Sequence, residues 1–191
     1  MRRAYISAAV ALIASAANGQ TITAADAEQA LFDPGPVEIA VLDLPFLSAE
    51  DKDVLGQIAM QQKYYGAIAF APDDGLLSES LMGAFNYHDM TEARAAALKG
   101  CEAQRAGATP CAVVVELRPQ GWEAGRALSL SGDATEAFNS QYSKAKGPKA
   151  MAISPSTGLF AVASDPAASG TATSACEALS QAGDCTVVLS E

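Results

Sequence analysis

Histidine, tryptophan and positive charge are scarce in this chain. There is one His, His88, and one Trp, Trp122, among 191 residues, and 12 Lys+Arg stand against 22 Asp+Glu. A single imidazole excludes histidine-rich metal centres and leaves room for one general base at most. The net charge of −10, with no clustered basic face, argues against nucleic acid, because backbone-binding proteins neutralise phosphates with grouped Lys and Arg. The only basic cluster, Lys144, Lys146 and Lys149 around Gly147-Pro148, reads as a solvated turn. No G-x-S-x-G elbow, no glycine-rich phosphate loop and no C-x-x-C pair occurs, so nucleophile-elbow, nucleotide and dithiol redox chemistry have no sequence support. No cofactor and no metal is expected.

The apolar runs are short. Arg2 and Arg3 precede an apolar stretch from Ala4 to Ala14, too brief to span a bilayer with ease, and Ala17-Asn18-Gly19 supplies small residues. Residues 1–19 therefore read as an export signal cut after Gly19. A cut after Ala16 and an uncleaved anchor stay open. Losing Arg2 and Arg3 would leave a mature charge of −12, with no membrane span and a periplasmic or secreted location.

Against these absences stands a repetition. Ala67-Ile68-Ala69-Phe70-Ala71-Pro72-Asp73-Asp74-Gly75-Leu76-Leu77 returns as Ala150-Met151-Ala152-Ile153-Ser154-Pro155-Ser156-Thr157-Gly158-Leu159-Phe160, and each copy continues to a Cys-Glu-Ala, a second Cys and a valine run. A repeat of this size describes architecture more than chemistry. The four cysteines allow three pairings. Duplication selects Cys101–Cys111 and Cys176–Cys185, one bridge per copy, each locking a helix to the following strand. Closing such a loop contributes about 2–3 kcal/mol. Neither pair has the spacing of a structural zinc site.

The local pattern gives an α+β fold: two ββαβ repeats sharing an antiparallel or mixed sheet covered by helices, each repeat with one disulfide. Five segments follow: the signal 1–19, a helix-strand-helix segment 20–63, the first repeat 64–117, a connecting segment 118–148 with a strand near 127–130 and a helix opened by Asp133, and the second repeat 149–191. In the N-terminal segment, Ala24 to Leu31 reads as a helix, Val37 to Leu42 as a strand, and Ser48 with Asp51 as a capping box. In the first repeat, alternating large and small residues predict a strand from Tyr65, Pro72-Asp73-Asp74-Gly75 a turn, and Leu76 to Phe85 the returning strand. Asp89 caps a helix. The offset between copies is 83 at Ala67/Ala150 and 75 at Cys101/Cys176, so the first copy is longer. The extra length is placed around Gly83 to His88, which marks that region for functional scrutiny.

Candidate chemistry is thin. His88 beside Asp89 suggests an extracytoplasmic hydrolase as an alternative function. Asp73-Asp74 invites calcium, yet the matching residues in the second copy are Ser156-Thr157, so turn chemistry explains them. Asp51-Lys52-Asp53 mimics the start of a calcium loop but has Leu55 and Gln62 at ligand positions. Tyr64, Tyr87, His88 and Trp122, near predicted strand ends and loops, are the candidates for an exposed binding patch.

Tyr65-Gly66-Ala67-Ile68-Ala69 with Pro72, Gly75, an Ala-rich helix, Cys101 and Cys111 resembles a family of small exported bacterial domains of unknown function. That family's pattern is a Tyr-Gly-Ala-Ile-Ala strand followed by two cysteines, often in tandem. The likeness covers residues 64–117 and, more loosely, 149–190, where Lys149 replaces the Tyr and no Gly follows. It implies fold, export and disulfides and brings no catalytic residues. Chains similar over the whole length are sometimes labelled 5-aminolevulinate synthase, a name the residues do not support, since the recognisable cofactor-binding motifs of such an enzyme are lacking. The expectation is an exported, disulfide-stapled binding or interaction module, leaning away from catalysis, whose partner is an unknown protein, small molecule or envelope component.

Overall fold

The computed structural model describes residues 22–191. The signal and its cleavage sites lie outside the described residues. The chain is α+β. Its elements run α1 (Ala24–Ala30), β1 (Val37–Val41), α2 (Ala49–Ala59), β2 (Gly66–Phe70), β3 (Met82–Ala84), α3 (Met90–Gln104), β4 (Ala112–Pro119), α4 (Gly132–Ala137), a π-helical turn (Phe138–Tyr142), β5 (Ala150–Ile153), β6 (Phe160–Ala163), α5 (Ala168–Ser180) and β7 (Thr186–Ser190).

The strands form two antiparallel sheets, ordered β1-β4-β2-β3 and β6-β5-β7. This corrects the expectation of one shared sheet: among the described residues no ladder links a strand of one set to a strand of the other, and the side of β4 away from β2 is taken by β1 in a five-residue antiparallel ladder from Val37↔Pro119 to Val41↔Val115. Each sheet is then closed on both faces by its own helices. The flat alanine face of the first sheet packs under α3 (Ala67, Ala69, Ala93, Ala97, Cys101), and its bulky face (Ile68, Phe70, Val115, Leu117) packs on Leu55 and Ala59 of α2. In the second sheet Ala150, Ala152, Ala161 and Ala163 lie under Ala172 and Cys176 of α5, while Met151, Ile153 and Leu189 face Ala134, Phe138 and Tyr142. Small side chains on one face let a helix approach closely, and large ones on the other fill the wider gap.

The copies match beyond the sequence repeat. Both sheets carry a register shift at one equivalent step, Ile68/Ala69 and Met151/Ala152. The offset of 83 also relates Ser48 to Ser131, and both cap helices: Ser48 Oγ accepts from Asp51 N at 3.1 Å, and Ser131 Oγ from Ala134 N at 3.2 Å. The repeated unit is therefore αββαβ, and the helix of residues 118–148 is the second sheet's own layer, capped by Ser131 rather than by Asp133. Its π-helical turn stacks Phe138 on Tyr142, with ring centroids 5.6 Å apart. The strand anticipated at residues 127–130 does not form; Leu128 and Leu130 are buried from irregular chain. The returning strand of the first hairpin is confined to Met82–Ala84, because residues 76–81 are spent in a longer turn.

Both disulfides are present, Cys101–Cys111 and Cys176–Cys185, each with Cα atoms 6.1 Å apart. The residue after the first Cys explains the repeated Cys-Glu-Ala. Glu102 Oε1 accepts the N–H of Cys111 at 2.8 Å, and Glu177 Oε1 that of Cys185 at 2.7 Å. The glutamate satisfies the backbone donor of the partner cysteine, so the motif is part of the staple. The hairpin turns are tied to the staple loops with donor and acceptor exchanged. Asp73 and Asp74 accept from the N–H groups of Thr109, Ala106 and Gly107, whereas in the second copy Asp184 sits on the staple loop and accepts from Ser154 Oγ and Ser156 N. Turn chemistry thus accounts for the acidic pair.

Candidate functional site

The eight extra residues of the first copy divide in two. The offset is 83 at the paired strand Ala67/Ala150, 79 at Ala84/Ala163, which occupy the same ladder position, and 75 at Cys101/Cys176. Four residues lengthen the hairpin turn; of the other four, one lengthens the connection from β3 to α3, residues 85–89 against 164–167, and three extend the N-terminal end of α3 ahead of its cysteine. That connection, Phe85 to Asp89, is where the two copies meet. Asn86 adopts φ +62 and accepts Asp133 N at Oδ1, while its Nδ2 donates to Asp133 Oδ2 at 3.0 Å. Tyr87 exchanges backbone bonds with Tyr65. The second hairpin turn then lands on this segment: a Cβ at Gly158, which has φ +73, would lie 2.6 Å from Asn86 O.

His88 closes the seam. It is 2 % exposed. Nδ1 accepts the backbone N–H of Ser131 at 3.2 Å, which places the proton on Nε2, and Nε2 donates to Leu159 O at 3.1 Å. Ser129 Oγ donates to the His88 carbonyl. The ring thereby joins the first copy, the cap of α4 and the turn of the second copy. Burial drives its pKa below the ordinary 6.5, against the Leu159 contact and the charges of Asp89 and Asp184. Asp89, its neighbour, accepts Glu92 N at 2.9 Å as the N-cap of α3. A histidine with both nitrogens committed and no solvent face has no lone pair to offer a substrate.

The four candidate residues do not converge. Tyr64 is 1 % exposed, correcting the expectation of a surface ring; it packs edge-on to Tyr65 at 5.4 Å, and burial raises its phenol to about 12. The reason is that the strand begins in the interior: β2 is buried at every position, so the residues leading into it are buried as well. His88 is in the seam. Tyr87 is half-buried beside a groove of about 420 Å³ between the outer face of α3 and Ser156. Trp122 alone borders a more enclosed cavity, about 170 Å³, with Tyr65, Asp89, Met90 and Arg126 among its walls.

Sequence reasoning missed Tyr65 and Arg126 at that cavity. Tyr65 stands in the sequence as the start of a strand and as one of several aromatics, not as a chosen site residue; burial raises its pKa, and the side chains of Ser129 and Trp122 beside it pull the other way. Arg126 Nη1 donates to the carbonyls of Ala30 and Leu31, closing the C-terminus of α1, and its guanidinium lies 3.7 Å from the Phe32 ring. Trp122 is fixed from its other side by Arg118, 4.6 Å from the ring centroid, and Arg118 and Arg94 share the buried carboxylate of Glu116. The polar walls Asp89, Arg126 and Ser129 are already hydrogen-bonded to backbone groups. Among the described residues no group of three or more His, Cys, Asp or Glu side chains is placed to hold a metal, and no helix is long and apolar enough to cross a membrane. Comparison with protein-family models, curated proteins and solved structures finds no match.

Proposed function

We propose that this chain is an exported, disulfide-stapled binding module, working in the periplasm or after secretion, whose ligand is a protein, small molecule or envelope component. The observation that carries the reading is the state of His88: the one imidazole is spent on holding the copies together, so the hydrolase alternative loses its base. Two disulfides and the signal-like N-terminus support the compartment. The small cavity beside Trp122 and Tyr65 is the place for a ligand, since it combines apolar walls with a few fixed polar groups.

Trp122 is the only indole, so its fluorescence reports that cavity directly. Titration of the mature protein with envelope fragments, namely amino sugars, short peptides and lipid headgroups, is expected to shift the emission with one of them, and Tyr65→Phe is expected to weaken the response. Turnover of an ester, amide or glycoside substrate that disappears in Asp89→Asn would favour the hydrolase instead. Asn keeps the helix cap, so that loss could not be blamed on unfolding.

A further inference from the structure

The two sheets end differently at equivalent strands. In the first copy the outer edge of β4 is covered by β1 along five residues. In the second copy β7 is the outermost strand, and among the described residues only Ile22 reaches it, through an isolated parallel bridge at Leu189. The stretch Thr186–Val188 therefore presents backbone N–H and C=O groups with no neighbouring strand among those residues. Sheet edges are normally guarded by charge, proline, shortness or cover. The other three edges follow the rule: β1 carries Glu38 and is led in by Pro36, β3 has three residues, and β6 has four and runs into Asp165-Pro166. β7, Thr-Val-Val-Leu-Ser, has neither charge nor proline.

Negative charge is in surplus around this edge. Asp184 precedes β7 and Glu191 follows it, Asp26 lies on α1 just after Ile22, and Glu123 shares the open hollow beside Ile22. Glu191 is paired with Lys149 at 3.1 Å and Glu123 lies 4.0 Å from Arg126, whereas Asp184 and Asp26 accept only from hydroxyl and backbone donors and have no ion pair among the described residues. An apolar, unguarded edge between carboxylates suits an extended, basic segment.

We propose that the outer edge of β7 is a strand-addition site for an extended peptide of alternating β-branched residues flanked by Lys or Arg, which takes in the second copy the place that β1 holds in the first. Main-chain bonds to the edge supply affinity, the flanking cations meet the unpaired carboxylates Asp184 and Asp26, and side-chain alternation sets the register. The proposal rests on the reading of the chain as a binding module, but it concerns the backbone groups of β7, which are not among the walls of the Trp122 cavity, and failure at β7 leaves the fluorescence titration standing.

The test is amide hydrogen exchange and titration calorimetry on the mature, oxidised chain. The probe is a peptide of about seven residues, alternating valine and threonine with a lysine at each end. Binding with new protection at Thr186–Val188 is the expected result. It should be lost when alternate peptide nitrogens are methylated, and weakened about tenfold or more by Thr186→Lys, which places a guard charge on an exposed edge position. Three results would overturn the proposal: these amides already protected in the free monomer through contacts with residues 20–21; protection that rises with protein concentration alongside a dimer in sedimentation; or no binding of the peptide to a chain whose edge amides exchange freely.

Discussion

Two glycines at equivalent turns, Gly75 and Gly158, show what separates the copies. Both have positive φ, +77 and +73, as their hairpin turns require. Nothing lies within 4 Å of a Cβ built on Gly75, whereas one on Gly158 would run into the backbone of Asn86 and Tyr87. The first turn ends in solvent, with Leu77 fully exposed, and the second is the plug that seats in the first copy. The two units share an element order. The connection Phe85 to Asp89 in one of them supplies the socket that the turn of the other enters.

The comparison is broken most severely at the socket. His88→Ala removes a ring that satisfies Ser131 N–H and Leu159 C=O and leaves a buried void, and a loss of about 3 kcal/mol is expected in urea denaturation. Opening a disulfide comes next: Cys101→Ala with Cys111→Ala, or Cys176→Ala with Cys185→Ala, should each cost about 2–3 kcal/mol, read from the midpoint at constant slope. The glycine pair then sharpens the contrast. Gly75→Ala should cost about 1 kcal/mol for its left-handed backbone alone, and Gly158→Ala a further 1–3 kcal/mol or so because the seam must move to admit the methyl group. Equal losses at the two positions would remove the asymmetry on which the socket depends.

The smallest expected effect is the pH dependence of the same seam. The folded pKa of His88 lies below the unfolded value near 6.5 because burial disfavours the imidazolium. The unfolded chain therefore binds this proton first as pH falls, so the contribution of the neutral ring is complete above the unfolded value and declines from about pH 6.5 downward. Stability should fall as pH drops below about 6.5, before the salt-bridged and hydrogen-bonded carboxylates of Asp43, Asp184 and Glu191 take up protons at lower pH. A His88→Gln variant, less stable throughout, should lack the slope in that upper window.

Features written in local residues were legible in the sequence. The buried alanine strand, the caps at Ser48 and Asp89 with the helices they open, and both cysteine pairings depend on neighbours close along the chain or on the repeat itself, whereas the αββαβ unit, with Ser131 as the second cap, is visible only in the fold. What depends on partners far away was not. The antiparallel return of β4 against β1, which closes the first sheet, gives no sign in either strand's pattern. Leu128 and Leu130 carry the alternation of a strand, yet they are buried from irregular chain in the cluster of Ala30, Phe138, Met151 and Leu189. His88 drew attention for its place in a connection longer than its counterpart, but a lone histidine next to an aspartate reads the same in sequence whether it meets substrate or two backbone groups. Tyr65 and Arg126 carried no signal beyond their type, and the cavity they share with Trp122 exists only once α3 and residues 118–131 are folded together.

The most direct measurement is the nitrogen NMR spectrum of the His88 ring, unambiguous because the chain has no other histidine. A neutral ring with its proton on Nε2, a hydrogen-bonded Nδ1 and no titration at the ordinary histidine pH is the predicted result. A ring that exchanges freely with solvent and titrates near 6.5, or one protonated on Nδ1, would contradict the seam and return His88 to the list of possible bases.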